Sequence, residues 1–221
     1  MMDSENILLT MNAPFAIWCA AGQDATELAR AAGMAIDNNV GAVSVAPGDV
    51  MTIWPWIENK HIQILPRFYL AQTDVDSVSD LTQEINTALK SGADGAIVFV
   101  GADQLSELVN QVYLIRDDLF FNKSAFIGLD VGTVGPFEWD GIFAALEKLR
   151  ADGLVLALTN DTGDASDFVG RVYAALSAWN NSNMNLYFVL GTNRMRIEQA
   201  MRLVQSMRPE LVDKIKFFVN I

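Results

Sequence analysis

The chain reads as a (β/α)8 barrel, and three observations predict it. Short apolar runs recur with amphipathic segments between them, each closing on Gly, Pro, Asn or Asp, which is the alternation of a parallel sheet. Hydrophobic residues make up 51% of the 221 positions and charged residues only 19%; that excludes a disordered chain and suits strands buried on both faces. The units follow one another at even spacing with no linker, which favours a closed barrel over the alternative, a doubly wound sheet. A single domain over residues 1–221 is therefore expected, with a last strand that is not followed by a helix.

The first strand is expected over Phe15–Ala20. The run from Asn12 to Gly22 ends on Ala-Ala like a signal-peptide cleavage region, but Met-Met-Asp-Ser-Glu-Asn ahead of it is acidic where a signal needs positive charge. Further strands follow at Ala42–Ala46, Ile62–Tyr69, Gly95–Val100, Ala125–Asp130, Leu154–Thr159, Leu186–Leu190 and Ile215–Ile221. Helices are predicted over Ala25–Asn39, Val78–Ser91, Gln104–Phe120, Glu138–Ala151, Ala165–Asn180 and Arg194–Met207. Asp24, Ser77, Asp103, Asp164 and Asn193 stand where a side-chain oxygen caps free N–H groups. Leu105, Leu108, Val109, Val112 and Tyr113 form one apolar stripe. Val50–Lys60 is interrupted by Pro55 and reads as an irregular helix or lid carrying Trp54 and Trp56.

Fifteen Lys and Arg against 27 Asp and Glu leave a net charge of −12, which opposes nucleic acid and anionic membrane surfaces as partners. No apolar stretch approaches the roughly 20 residues of a membrane span. Cys19 is the only cysteine, so no internal disulfide or cysteine cage forms, and a cytoplasmic location is expected. His61 is the only histidine and begins its strand, at the end of a barrel that serves stability. No metal and no cofactor are expected.

Chemistry in a parallel barrel sits at the carboxyl ends of the strands. Arg67 and Asp130 share an inward face there by alternation, and a charge so placed needs a partner. They either pair with each other, or Arg67 anchors a ligand while Asp130 serves as an acid or base. Asn160 and Asp161 after the sixth strand, and Asn193 and Arg194 after the seventh, are the candidate binding residues, with turn formation and capping as the competing roles for Asp161 and Asn193. Cys19 has no nearby histidine to activate it and reads as a small buried hydrophobe. Lys60, Lys90, Lys123, Lys148 and Lys214 fall in loops or helices and Lys216 at the amino end of the last strand, so no lysine stands at a strand top for Schiff-base chemistry.

Two motifs are set aside. Ile127–Gly135 resembles the phosphate-binding turn of sugar kinases and actin-like ATPases, but Pro136 and a helix follow it; a dehalogenase-type phosphatase motif would need a second Asp where Gly132 stands. Asp161-Thr162-Gly163 resembles an aspartic-protease turn, which needs an all-β frame.

The rhythm of Ala42–Pro47, Ile62–Pro66 and Leu81–Phe99, with the turn Gly191–Arg194, resembles deoxyribose-phosphate aldolases and related class I aldolase barrels. The resemblance implies an aldolase-like barrel. It also implies catalytic lysines where Leu156-Ala157-Leu158-Thr159 and Val189-Leu190 stand, and an acid where Ile97-Val98 stand, so the family's reaction does not carry over. The expectation is lyase or isomerase chemistry on a small carbonyl or hydroxylated metabolite, with Asp130 as base and Arg67 holding an oxygen. The alternative is a non-catalytic barrel that binds a metabolite or a protein. A homo-oligomer covering the groove beside the last strand is the expected assembly, and the acidic charge makes a phosphorylated substrate less expected.

Overall fold

The computed structural model describes residues 14–71, 75–112, 123–135, 137–158, 165–179, 183–191 and 193–221. Eight parallel strands close in chain order: β1 (Phe15–Trp18), β2 (Ala42–Val45), β3 (Gln63–Tyr69), β4 (Gly95–Phe99), β5 (Ser124–Asp130), β6 (Gly153–Ala157), β7 (Asn185–Val189) and β8 (Ile215–Asn220). Closure is made by β8 on β1, in register from Phe15 opposite Phe217 to Trp18 opposite Asn220. A doubly wound sheet would instead place β1 inside the sheet and stay open at two edges.

Seven α-helices among the described residues link the strands: α1 (Ala25–Asp37), α2 (Val50–Ile57), α3 (Val75–Lys90), α4 (Leu105–Val112), α5 (Trp139–Lys148), α6 (Ala165–Ala178) and α7 (Arg194–Met207). Helix α1 starts as its sequence requires. The Asp24 carboxylate accepts from the Thr26 and Glu27 N–H groups, and Glu27 accepts in return from the Asp24 N–H. Of the expected stripe on α4, Leu105, Leu108 and Val109 are buried; Tyr113 lies outside the described residues.

Alternation splits each strand between two cores. Ile17, Val43, Ile64, Leu156 and Phe217 face outward and pack with the helices. Ala16, Leu65, Ile97, Phe126, Tyr187 and Phe218 fill the barrel. Small residues and rings share that interior: Tyr187 stacks on Phe218 at 5.1 Å and meets Phe126 edge-on at 5.2 Å. Each such buried ring contributes about 2–3 kcal/mol of apolar burial.

The Val50–Ile57 segment differs from expectation. It is a continuous helix despite Pro55, because the carbonyl that Pro55 frees belongs to Met51, which is 71% exposed and can be solvated. It is not a lid over the strand tops. Trp54 packs instead on Gly92, just ahead of β4, where a Cβ would lie 2.3 Å from the indole and the backbone takes φ +109°. Beyond β8, the Ile221 N–H donates to the Trp18 carbonyl at 3.0 Å and its carbonyl accepts from Gln23 Nε2 at 2.8 Å.

Candidate functional site

The strand tops open into a cavity of about 1010 Å3 with two unlike walls. Trp18, Tyr69 and Phe99, from β1, β3 and β4, make one wall. Asp130, Asn193, Arg196 and Asn220, from β5, α7 and β8, supply charge and amides elsewhere on the lining.

The aromatic wall is held from behind. Phe99 meets Trp18 edge-on at 5.9 Å and stacks under Tyr69 at 5.1 Å, the rings tilted by only 18°. Gly128 on β5 gives Phe99 its room: a Cβ there would fall 2.5 Å from the ring. Trp18 also meets Phe218 edge-on at 5.2 Å, which ties the wall to the barrel core.

Arg67 is buried, as its inward place on β3 predicts, but it is not among the residues lining the cavity. Its guanidinium lies 4.2 Å from the Trp18 ring centroid, and it donates to the Cys19 carbonyl at 2.6 Å and to Ser44 Oγ at 3.2 Å. The salt bridge to Asp130 is not formed; the Cys19 carbonyl, just past β1, and Ser44 Oγ on β2 accept from the guanidinium instead. Burial pulls Arg67 below its ordinary pKa, and the Tyr69 hydroxyl, Cys19 and Asp49 partly offset this. Cys19 is fully buried, and burial pushes its thiol up to about 12 against a smaller opposing pull from Arg67. It behaves as the small hydrophobe expected.

Asp130 ends β5 and lines the cavity. Its Oδ1 accepts from the Gly132 N–H at 2.8 Å, and Thr133 Oγ1 donates to its carbonyl at 2.9 Å. Arg171 on α6 donates to the Val131 carbonyl at 2.7 Å, so the turn that aims the carboxylate is braced from outside. Asn193 both caps α7, accepting from the Arg196 N–H at 3.2 Å, and lines the cavity. Arg194 is exposed, pairs with Glu198 at 2.8 Å along the helix, and is not among the residues lining the cavity. Arg196, two residues on, lines it instead, since two positions turn the side chain by about 200° around a helix. Asn160 and Asp161 lie outside the described residues.

Sequence reasoning concentrated on polar strand ends and passed over Trp18 and Phe99. Their signal was available: each sits two residues beyond an inward-facing Ala16 or Ile97. Lys216 is half-buried at the opposite, amino end of the barrel, 5.5 Å from the Tyr187 ring, and burial lowers its pKa. His61 is exposed ahead of β3. Among the described residues no group of three or more His, Cys, Asp or Glu side chains could hold a metal, and no helix is long and apolar enough to cross a membrane.

The closed eight-stranded barrel with a cavity at its strand tops resembles the aldolase-like barrels in fold. No family model matches the chain, and no curated protein matches it. Solved structures do. A putative deoxyribose-phosphate aldolase from Toxoplasma gondii ME49 superposes with a TM-score of 0.75 at 14% identity, covering 98% of this chain and 91% of that one. The tetrameric deoxyribose phosphate aldolase from Aeropyrum pernix gives 0.68 at 13% identity over 97% and 87%. The putative copper homeostasis protein CutC from Streptococcus agalactiae gives 0.64 at 10% identity over 92% and 97%. At these identities the likeness is one of fold.

Proposed function

We propose that the mouth of the barrel binds a small carbonyl or hydroxylated metabolite and carries lyase or isomerase chemistry without a Schiff base. One observation carries this reading: the Asp130 carboxylate and the Arg196 guanidinium line the same cavity at the strand tops. Asp130 takes a proton from the carbon beside a carbonyl. The electron pair moves onto the carbonyl oxygen, and Arg196 with the Asn193 and Asn220 amides stabilises the enolate that forms. Return of the proton to a neighbouring atom completes an isomerisation. Run instead by cleavage of a C–C bond, the same enolate is the departing fragment of a lyase reaction, with Asp130 taking the proton of the β-hydroxyl.

Arg67 acts in this scheme as a positioning residue behind Trp18. Asn160 and Asp161 remain candidate ligands because they follow Leu158, which lines the cavity. The absence of lysine from the described lining supports a route without an imine. A cytoplasmic homo-oligomer belongs to the same reading, supported by the lone buried cysteine and by the tetrameric Aeropyrum pernix structure; gel filtration checks the assembly.

The deciding experiment uses short 2-hydroxy acids, 2-keto acids and aldehydes in D2O, with binding read by thermal shift and proton exchange at carbon read by NMR. The wild-type chain is expected to bind and exchange. Asp130→Asn, which keeps an acceptor for the Gly132 N–H, is expected to bind without exchange. Binding without exchange in both proteins would sink the catalytic reading and leave a metabolite-binding barrel.

A further inference from the structure

The aromatic wall says more about the ligand than its size does. Single exposed aromatic side chains are ordinary on protein surfaces and need no explanation. Tyr69 is not of that kind. It is 70% exposed at the rim of the cavity, yet its inner face is stacked on Phe99, and its hydroxyl acts on buried Arg67. Phe99 in turn has its place because β5 carries Gly128 rather than a larger residue. Trp18 is held by the Arg67 guanidinium over its ring and by T-shaped contacts with Phe99 and Phe218. The Tyr69 ring, backed by Phe99 and lining the cavity, is thus a flat face held from behind.

Such a surface favours a flat partner. A planar ring laid on an aromatic face keeps full contact at low entropic cost, because the wall is already ordered. A saturated ring of the same size touches it only through axial hydrogens. The cavity, at about 1010 Å3, is also larger than a three- or four-carbon metabolite needs.

We infer that the site selects a metabolite bearing a planar conjugated ring, which stacks on Tyr69, itself backed by Phe99, while its hydroxylated or acidic end reaches Asp130, Asn193 and Arg196. This rests on the proposed function, since it takes the same mouth as the binding site and names the class of molecule that enters it.

The test is calorimetric titration of the full chain with three probes that share a 2-hydroxy acid head. Lactate has no ring, mandelate has a planar phenyl ring, and hexahydromandelate has the saturated ring of the same carbon count. Mandelate is expected to bind about fivefold more tightly than hexahydromandelate. The preference is expected to vanish in Tyr69→Leu and to survive in Tyr69→Phe, which keeps the ring. Exposure of Tyr69 makes both variants safe for folding. Equal affinity of the two ring-bearing acids, or a preference that persists in Tyr69→Leu, overturns the ring platform while leaving the mouth a metabolite site. Failure of all three probes to bind overturns the platform as well, and the proposed function is then decided separately by exchange in the Asp130→Asn comparison.

Discussion

The Arg67 guanidinium carbon stands 4.2 Å from the centroid of the Trp18 ring, with the Cys19 carbonyl and Ser44 Oγ as its hydrogen-bond partners. The buried guanidinium thus ties β3 to Ser44 on β2 and to the residue that follows β1, beneath the cavity. Replacing it with Met would leave the Cys19 carbonyl and the Ser44 hydroxyl without a donor in a dry interior. Urea unfolding is expected to show a loss of about 2–4 kcal/mol for Arg67→Met. Arg67→Lys should recover only part of it, since an ammonium cannot serve two acceptors and a ring face with one planar group.

Arg194 and Arg196 separate cleanly by experiment. Arg196→Ala is expected to abolish or strongly weaken any ligand response at the mouth. Arg194→Ala removes an exposed pair with Glu198, worth about 0.3–0.5 kcal/mol, and should leave ligand affinity unchanged. The reverse ranking would move the binding face to the outside of α7.

Gly128 gives a test of the wall in which no lining residue is replaced. In Gly128→Ala the new methyl meets the Phe99 ring at 2.5 Å, so the ring must shift and carry Tyr69 with it. A stability loss of about 1–3 kcal/mol is expected, together with loss of the preference for planar-ring ligands. Unchanged preference in a folded Gly128→Ala would show that Phe99 does not set the position of Tyr69.

Alkaline pH should destabilise the fold in a defined window. Burial raises the Cys19 thiol from 9.0 to about 12 and the Tyr187 phenol from 10.0 to about 12, so both hold their protons more tightly folded than unfolded. Their contribution to stability is fully present below pH 9 and is lost as the pH rises towards 12. Each group adds a slope of about 1.4 kcal/mol per pH unit within its own interval. Urea midpoints measured from pH 8 to 11 are expected to fall steeply above pH 9. In Cys19→Ala the fall should begin about one unit later, at the onset set by Tyr187.

Much of the architecture was legible because backbone pattern and side-chain period are local. Runs such as Ala125–Asp130 and Leu154–Thr159 are apolar on both faces, and only a strand covered on both sides needs that. Asp24 and Asn193 marked helix starts because capping acts within three residues. The candidate site was legible only in part. Alternation placed Arg67 and Asp130 on one inward face, but their separation around the barrel depends on strand order and stagger, which no local pattern contains. Nor does a local pattern separate Arg194 from Arg196: which side of α7 meets the mouth is decided by how the helix docks.

By itself, the sequence determined the strand and helix alternation, the inward placement of Arg67 and Asp130, and the burial of Cys19, since these follow from hydrophobic period and the cost of stranding a polar or apolar group in the wrong medium. Only the tertiary structure decided that Arg67 turns to Trp18, Ser44 and the Cys19 carbonyl rather than to Asp130, and that Trp18, Phe99 and Tyr69 join into one wall. Those contacts link residues from different strands, and closure of the barrel is what brings them within reach of one another.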